Sequence, residues 1–162
     1  MANSPRIIKL KSDDYIEFSV PRNVIGLSKT VTTLIEDYGL DEEDVPTPNT
    51  EPIALNIRST MLEKAIVWCQ HHVDDAPFAD GERRELSEWD RQFFDVPRSE
   101  VLEIIVAANY LQIQSLLNGG CKAVADSLRG LTVAQLREAY NIENDFSPEE
   151  QEQMRREHAW IN

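Results

Sequence analysis

The chain has 162 residues, 41% of them hydrophobic, and a formal net charge of −13. That length and apolar share suit one folded domain with an appendage and argue against wholesale disorder. The charge argues against nucleic acid, whose phosphates need clustered Lys and Arg, and against an anionic membrane surface, leaving protein partners.

The first residues, MANSPRIIKLKS, hold no hydrophobic run of the kind a secretory signal needs, and no apolar stretch approaches a membrane span in length. Ile7 to Leu10 and Tyr15 to Val20 read as two strands joined through Lys11-Ser12-Asp13-Asp14, with Pro21 stopping the second. Asn23 to Tyr38 reads as a helix with Ile25, Val31, Leu34, Ile35 and Tyr38 toward the core, ended by Gly39. The acidic, Pro-rich run Asp41 to Pro52 is a loop whose charge faces water. Ile53 to Ile57 is a third short strand. Thr60 with Glu63 predicts a capping box for a helix that carries Leu62, Ala65, Ile66, Trp68 and Cys69 and ends near His72. A second acidic loop follows from Asp74 to about Leu86, then a short helix over Trp89 to Val96, broken by Pro97.

Val101 to Ile113 is the stretch around which the rest is organised. At about 100° per residue it carries two apolar faces. Val101, Ile104, Ile105, Ala108 and Leu111 fall on one side; Leu102, Val106, Asn109, Tyr110 and Ile113 fall on the other. One face closes the domain's own core, and the other waits for another protein. Gln114 to Arg129 is a further amphipathic helix with the stripe Leu117, Cys121, Val124 and Leu128. Gly119 and Gly120 inside it each cost about 1 kcal/mol relative to alanine.

Two weaker helices finish the chain. Thr132 with Gln135 predicts a capping box for the first, which runs to about Tyr140. Ser147-Pro148-Glu149-Glu150 opens the second with an N-cap, a proline at the first helical position and acids on the positive helix end. Its body is polar, with only Phe146, Met154, Trp160 and Ile161 to bury, so it either frays or folds onto a partner.

No phosphate-binding loop and no nucleophile elbow occur, so an enzyme is not expected, and no cofactor or metal either. Cys69, His71 and His72 form the only metal-like cluster in the sequence, but no second ligand pair stands at zinc-site spacing. The histidines are expected to bond the last carbonyls of their helix. Both cysteines, Cys69 and Cys121, lie in apolar helical pattern and read as packed free thiols. That usage suits a reducing compartment, the cytoplasm or nucleus.

Ordered motifs along nearly the whole chain resemble a known family. Ala107-Ala108-Asn109-Tyr110-Leu111, Leu116-Leu117, Cys121-Lys122, Val124-Ala125 and Asn141-Ile142-x-Asn144-Asp145-Phe146 are similar to the S-phase kinase-associated protein 1 family, adaptors of SCF-type cullin–RING ubiquitin ligases. Val45-Pro46-x-Pro48-Asn49, Trp68-Cys69-x-His71-His72 before Asp74-Asp75, Trp89-Asp90, and Arg156-Glu157-x-x-Trp160 match as well.

The resemblance implies an α/β (α+β) fold: a BTB/POZ-type domain over residues 1–113, extended by F-box-binding helices over 114–162. It implies a non-enzymatic bridge between a cullin scaffold and F-box proteins. Leu102, Val106, Asn109 and Tyr110 would face the cullin. Leu117, Cys121, Val124, Leu128, Tyr140, Ile142, Phe146 and Trp160 would face the F-box. It also implies that the chain is able to form a homodimer when no F-box protein is bound. In some protist relatives the proline matching Pro148 is hydroxylated and glycosylated; its plain reading is a helix opener. This chain departs from the family pattern at Gly119-Gly120, at Gly130-Leu131, and at Asp13-Asp14-Tyr15, where a glycine is usual. A self-associating BTB-type structural module in a chromosome-associated assembly is the alternative function that the resemblance leaves open.

Overall fold

A computed structural model describes residues 5–79 and 82–159. The chain falls into two compact units, residues 1–126 and 127–162. In the first, β1 (Ile7–Lys11) pairs antiparallel with β2 (Glu17–Pro21), Ile8 opposite Val20 and Leu10 opposite Phe18. β3 (Ile53–Ala54) joins the other edge of β1 in parallel, giving the order β2-β1-β3. Alternation along β1 puts Ile8 and Leu10 into the core.

β3 is shorter than the sequence suggests because its parallel register already sets Ala54 opposite Lys11, the last residue of β1, so residues 55–57 run past that strand's end. The other end of the same edge is filled by the Pro-rich loop. The Ile7 N–H donates to Thr47 Oγ1 at 2.9 Å and the Lys9 N–H to Asn49 Oδ1 at 2.7 Å. Side chains of the Pro-rich loop thus complete the strand's hydrogen bonding, and Asn49 is buried in doing so. Leu55 and Ile57, expected as strand residues, stay in the core beyond β3's end.

The single helix expected over 23–38 is two. α1 (Arg22–Ile25) stops at Gly26, and α2 (Lys29–Asp37) begins after Ser28, whose hydroxyl accepts from the Val31 N–H at 3.2 Å. A serine N-cap was present in the sequence, masked by the apolar spacing that continues across it. Tyr38, expected in the core, is the C-cap of α2 and 64% exposed. Gly39 follows at φ 62°, the left-handed turn that ends α2.

α3 (Ser59–His72) buries Leu62, Ala65, Ile66, Trp68 and Cys69, as its pattern predicts. Its expected Thr60–Glu63 capping box is absent; the N-cap is Arg58, with no side-chain cap of its own. The β1–β2 turn caps it instead. Asp14 accepts from the Ser59 N–H at 2.9 Å and from the Ser59 hydroxyl at 2.6 Å. The carboxylate sits where the helix exposes donors and partial positive charge.

α4 (Glu88–Phe93) is shorter than expected, with a capping box between Ser87 and Asp90. α5 (Arg98–Leu111) buries Val101, Ile104, Ala107, Ala108 and Leu111. Gln112 then turns left-handed at φ 51°, and the Ile113 N–H closes on the Ala108 carbonyl at 3.0 Å. That turn moves Ile113 off the outward face where helical spacing put it; it is fully buried.

α6 is Gln114–Leu128. The two glycines, read from sequence as a cost to this helix, are both buried and form its packing face with Leu116. A Cβ at Gly119 would stand 3.0 Å from Trp68 Cη2, and one at Gly120 only 2.6 Å from Ile105 Cγ1. Their absence of side chains lets the backbone of α6 approach the core closely.

Residues 127–162 contain α7 (Val133–Tyr140) and α8 (Pro148–Glu157). Both expected helix starts are present: Thr132 with Gln135, and Ser147 with Glu150, form reciprocal capping boxes. Neither helix has a buried residue.

Candidate interaction surfaces

The outward face of α5 is built by what the inward face leaves over. Leu102 is 41%, Val106 69% and Tyr110 38% exposed, with Asn109 exposed beside them. Apolar groups of this size on one face of a core helix leave a contiguous apolar strip open to solvent.

The face is held in place from α2 and from the segment after β3. At the carboxyl end of α5, the Ser28 hydroxyl donates to the Leu111 carbonyl at 2.6 Å and the Thr30 hydroxyl to the Tyr110 carbonyl at 2.8 Å. The Lys29 N–H donates to the Gln112 carbonyl at 3.3 Å. Carbonyls without partners inside the helix are thereby satisfied by the start of another helix. The Tyr110 hydroxyl accepts from the Asn56 N–H at 2.9 Å, which fixes the ring's direction. Ser28, Thr30 and Asn56 were not singled out from sequence; only Ser28 carried a local signal, as an N-cap.

On α6 the stripe lies beside the glycine face. Leu117 and Val124 are half-buried against the core, Cys121 is exposed, and Leu128 is half-buried at the helix end. Cys121 is therefore not the packed thiol expected, because the glycines and not the stripe face inward. Cys69 is packed as expected, and burial pushes its thiol up to about 12, so it stays protonated at neutral pH. Asn109 and Leu117 line one cavity of about 660 Å³, with Leu27, Lys29 and Gln112. The two sets of residues assigned to different partners thus share an edge at the α5–α6 junction.

In the second unit, Tyr140 is half-buried while Ile142 and Phe146 are 58% and 44% exposed. Asn141 at φ 51° ends α7, and Arg137 lies 6.0 Å from the Phe146 ring centre. Pro148 is exposed at the first position of α8. Trp160 lies outside the described residues.

The helix-end position predicts that the histidines bond the last carbonyls of α3; their rings instead meet an indole and two carboxylates. His71 stacks on Trp89 at 3.8 Å between ring centres. His72 places Nδ1 2.6 Å from Asp75 and Nε2 2.9 Å from Asp90. Asp90 also accepts from the Ser87 N–H, so one carboxylate serves both the α4 cap and the end of α3. Among the described residues no His, Cys, Asp and Glu are grouped as a metal site, and no helix is long and apolar enough to cross a membrane.

A small three-stranded sheet with helices packed on it, and an apolar face left open on α5, defines a POZ-type protein. The chain belongs to the Skp1 family. Residues 6–74 match the model of the Skp1 family tetramerisation domain, and residues 114–161 that of the Skp1 family dimerisation domain. A Skp1-related protein of Caenorhabditis elegans is 44% identical, with 98% of this chain and 93% of the relative covered. The "E3 ubiquitin ligase complex SCF subunit sconC" of Talaromyces marneffei is 42% identical over 94% of this chain and 95% of its own. That of Aspergillus fumigatus is 39% identical over 94% and 96%.

Proposed function

We propose that this chain is the adaptor of an SCF-type ubiquitin ligase, joining a cullin scaffold to F-box proteins and catalysing nothing itself. The observation that carries the reading is the outward face of α5. Its Leu102, Val106, Asn109 and Tyr110 stay uncovered although the same helix supplies the core, which suits a cullin contact. Leu117, Cys121, Val124 and Leu128 on α6, with Tyr140, Ile142 and Phe146 of the second unit, suit the F-box, and Trp160 is assigned there by resemblance. A standard interface of about 1,600 Å² anchored by a few such groups is enough for a stable, specific complex.

Asn109→Lys with Tyr110→Lys should abolish capture of the cullin and leave F-box binding intact. Two lysines would put uncompensated charge into a desolvated contact. Undiminished capture would refute the assignment of α5, and loss of both partners together would mean that the fold had been damaged.

Self-association is a second reading, favoured by the open apolar groups and by the oligomerisation domains for which the matching family models are named. It makes the chain a homodimer when no F-box protein is bound, and light scattering with and without an F-box protein distinguishes it. Pro148 we read as a helix opener. Two free thiols suit the cytoplasm and nucleus as compartments.

A further inference from the structure

We propose that Tyr15 and Ile16, at the tip of the β1–β2 hairpin, are a second contact for the cullin, anchored to the same segment as Tyr110 on the outward face of α5. This rests on the assignment of α5 to the cullin and extends it.

Tyr15 adopts φ 65°, a left-handed conformation that any side chain with a Cβ disfavours and glycine adopts freely. The fold gains nothing visible from a tyrosine there. It is 80% exposed, and among the described residues its side chain has no hydrogen-bond or ring partner. Ile16 beside it is 49% exposed. A bulky residue held in an unfavourable conformation, with its ring in water, points to a use outside the fold.

The tip is also rigid. The Ser12 N–H donates to the Ile16 carbonyl at 2.9 Å, the Ile16 N–H to Ser12 Oγ at 3.0 Å, and the Tyr15 N–H to the Ser12 carbonyl at 3.0 Å. It is fastened to residues 56–59: the Asp13 N–H donates to the Ile57 carbonyl at 2.9 Å, and Asp14 holds Ser59. The same segment carries Asn56, whose N–H meets the Tyr110 hydroxyl. The exposed groups of α5 and of the hairpin tip are therefore tied to one and the same segment, residues 56–59, Tyr110 at one end and Asp13 and Asp14 at the other. That shared anchorage selects the partner of α5 as the occupant. An aromatic on a pre-formed turn loses little freedom on docking, and the exposed Asp13 and Glu17 around it suit a partner pocket rimmed by Lys or Arg.

The test uses the full chain in complex with an F-box protein, titrated with purified cullin. Tyr15→Gly relieves the backbone and removes the ring, so it should raise the melting temperature while weakening cullin binding at least fivefold. F-box affinity should be unchanged. A variant that melts higher yet binds the cullin as tightly as before would overturn the proposal, as would equal losses toward cullin and F-box protein. Asn109→Lys with Tyr110→Lys separates the two levels. If that pair leaves cullin binding intact while Tyr15→Gly weakens it, the α5 assignment fails and the tip stands as a contact by itself.

Discussion

At the scale of single residues, side chains that are missing matter as much as those present. Gly120 has no room for a methyl group, because Ile105 Cγ1 would lie 2.6 Å from it. Replacing a helical glycine by alanine ordinarily gains about 1 kcal/mol, whereas forcing a methyl into a packed interior costs about 1–3 kcal/mol. The contact is to the near end of a half-buried isoleucine, so crowding wins. Gly120→Ala should lower stability by about 1 kcal/mol, measured by urea denaturation; a gain would mean that Ile105 has space to turn away. The sequence shows the glycines but not their neighbours, since Trp68, Phe94 and Ile105 reach them from other parts of the chain. The same holds for His72, whose partner Asp90 stands on a different helix. By contrast, the outward Leu102, Val106 and Tyr110 were legible from spacing alone, because helical periodicity is local information.

Among the elements, two helix starts were readable because their caps lie within three residues, although the equally local caps at Ser28 and Ser87 were missed. Ends held by partners from elsewhere left no local trace. Ser147 with Glu150 and Thr132 with Gln135 are of the first kind. α3, capped by Asp14 from the hairpin, is of the second, and so is α5, whose last carbonyls are satisfied by Ser28 and Thr30. The Asp14 cap has a consequence for acid stability. Hydrogen bonds from the Ser12 and Ser59 hydroxyls hold its carboxyl well below the ordinary carboxylate range. A carboxyl depressed in the folded state adds stability that is fully present above its unfolded value of about 3.9 and drains away as pH falls toward its folded one. Asp14→Asn should therefore cost stability near neutrality and flatten the acid limb of the stability–pH curve. An unchanged limb would show that the cap contributes nothing.

Taken whole, the molecule divides its labour between a unit with a dense core and one without. Residues 1–126 contain every buried hydrophobic side chain among the described residues, whereas α7 and α8 depend on caps and short-range contacts. Isolated helices of eight and ten residues are marginal in water. Hydrogen exchange should therefore be fast along both in the free chain and slow sharply when an F-box protein is added, with α3 protected throughout. Equal protection of α7, α8 and α3 without a partner would contradict the division. The polarity of α8 signalled this in the sequence, although sequence alone did not choose between fraying and docking.

Gly119 has one more effect. By leaving room for Trp68, it presses a buried indole against the backbone of α6, where the indole N–H also donates to Ser115 Oγ at 3.0 Å. Any receptor that levers α6 outward must disturb that fluorophore's dry surroundings. Such a movement would alter the emission of Trp68 without any label.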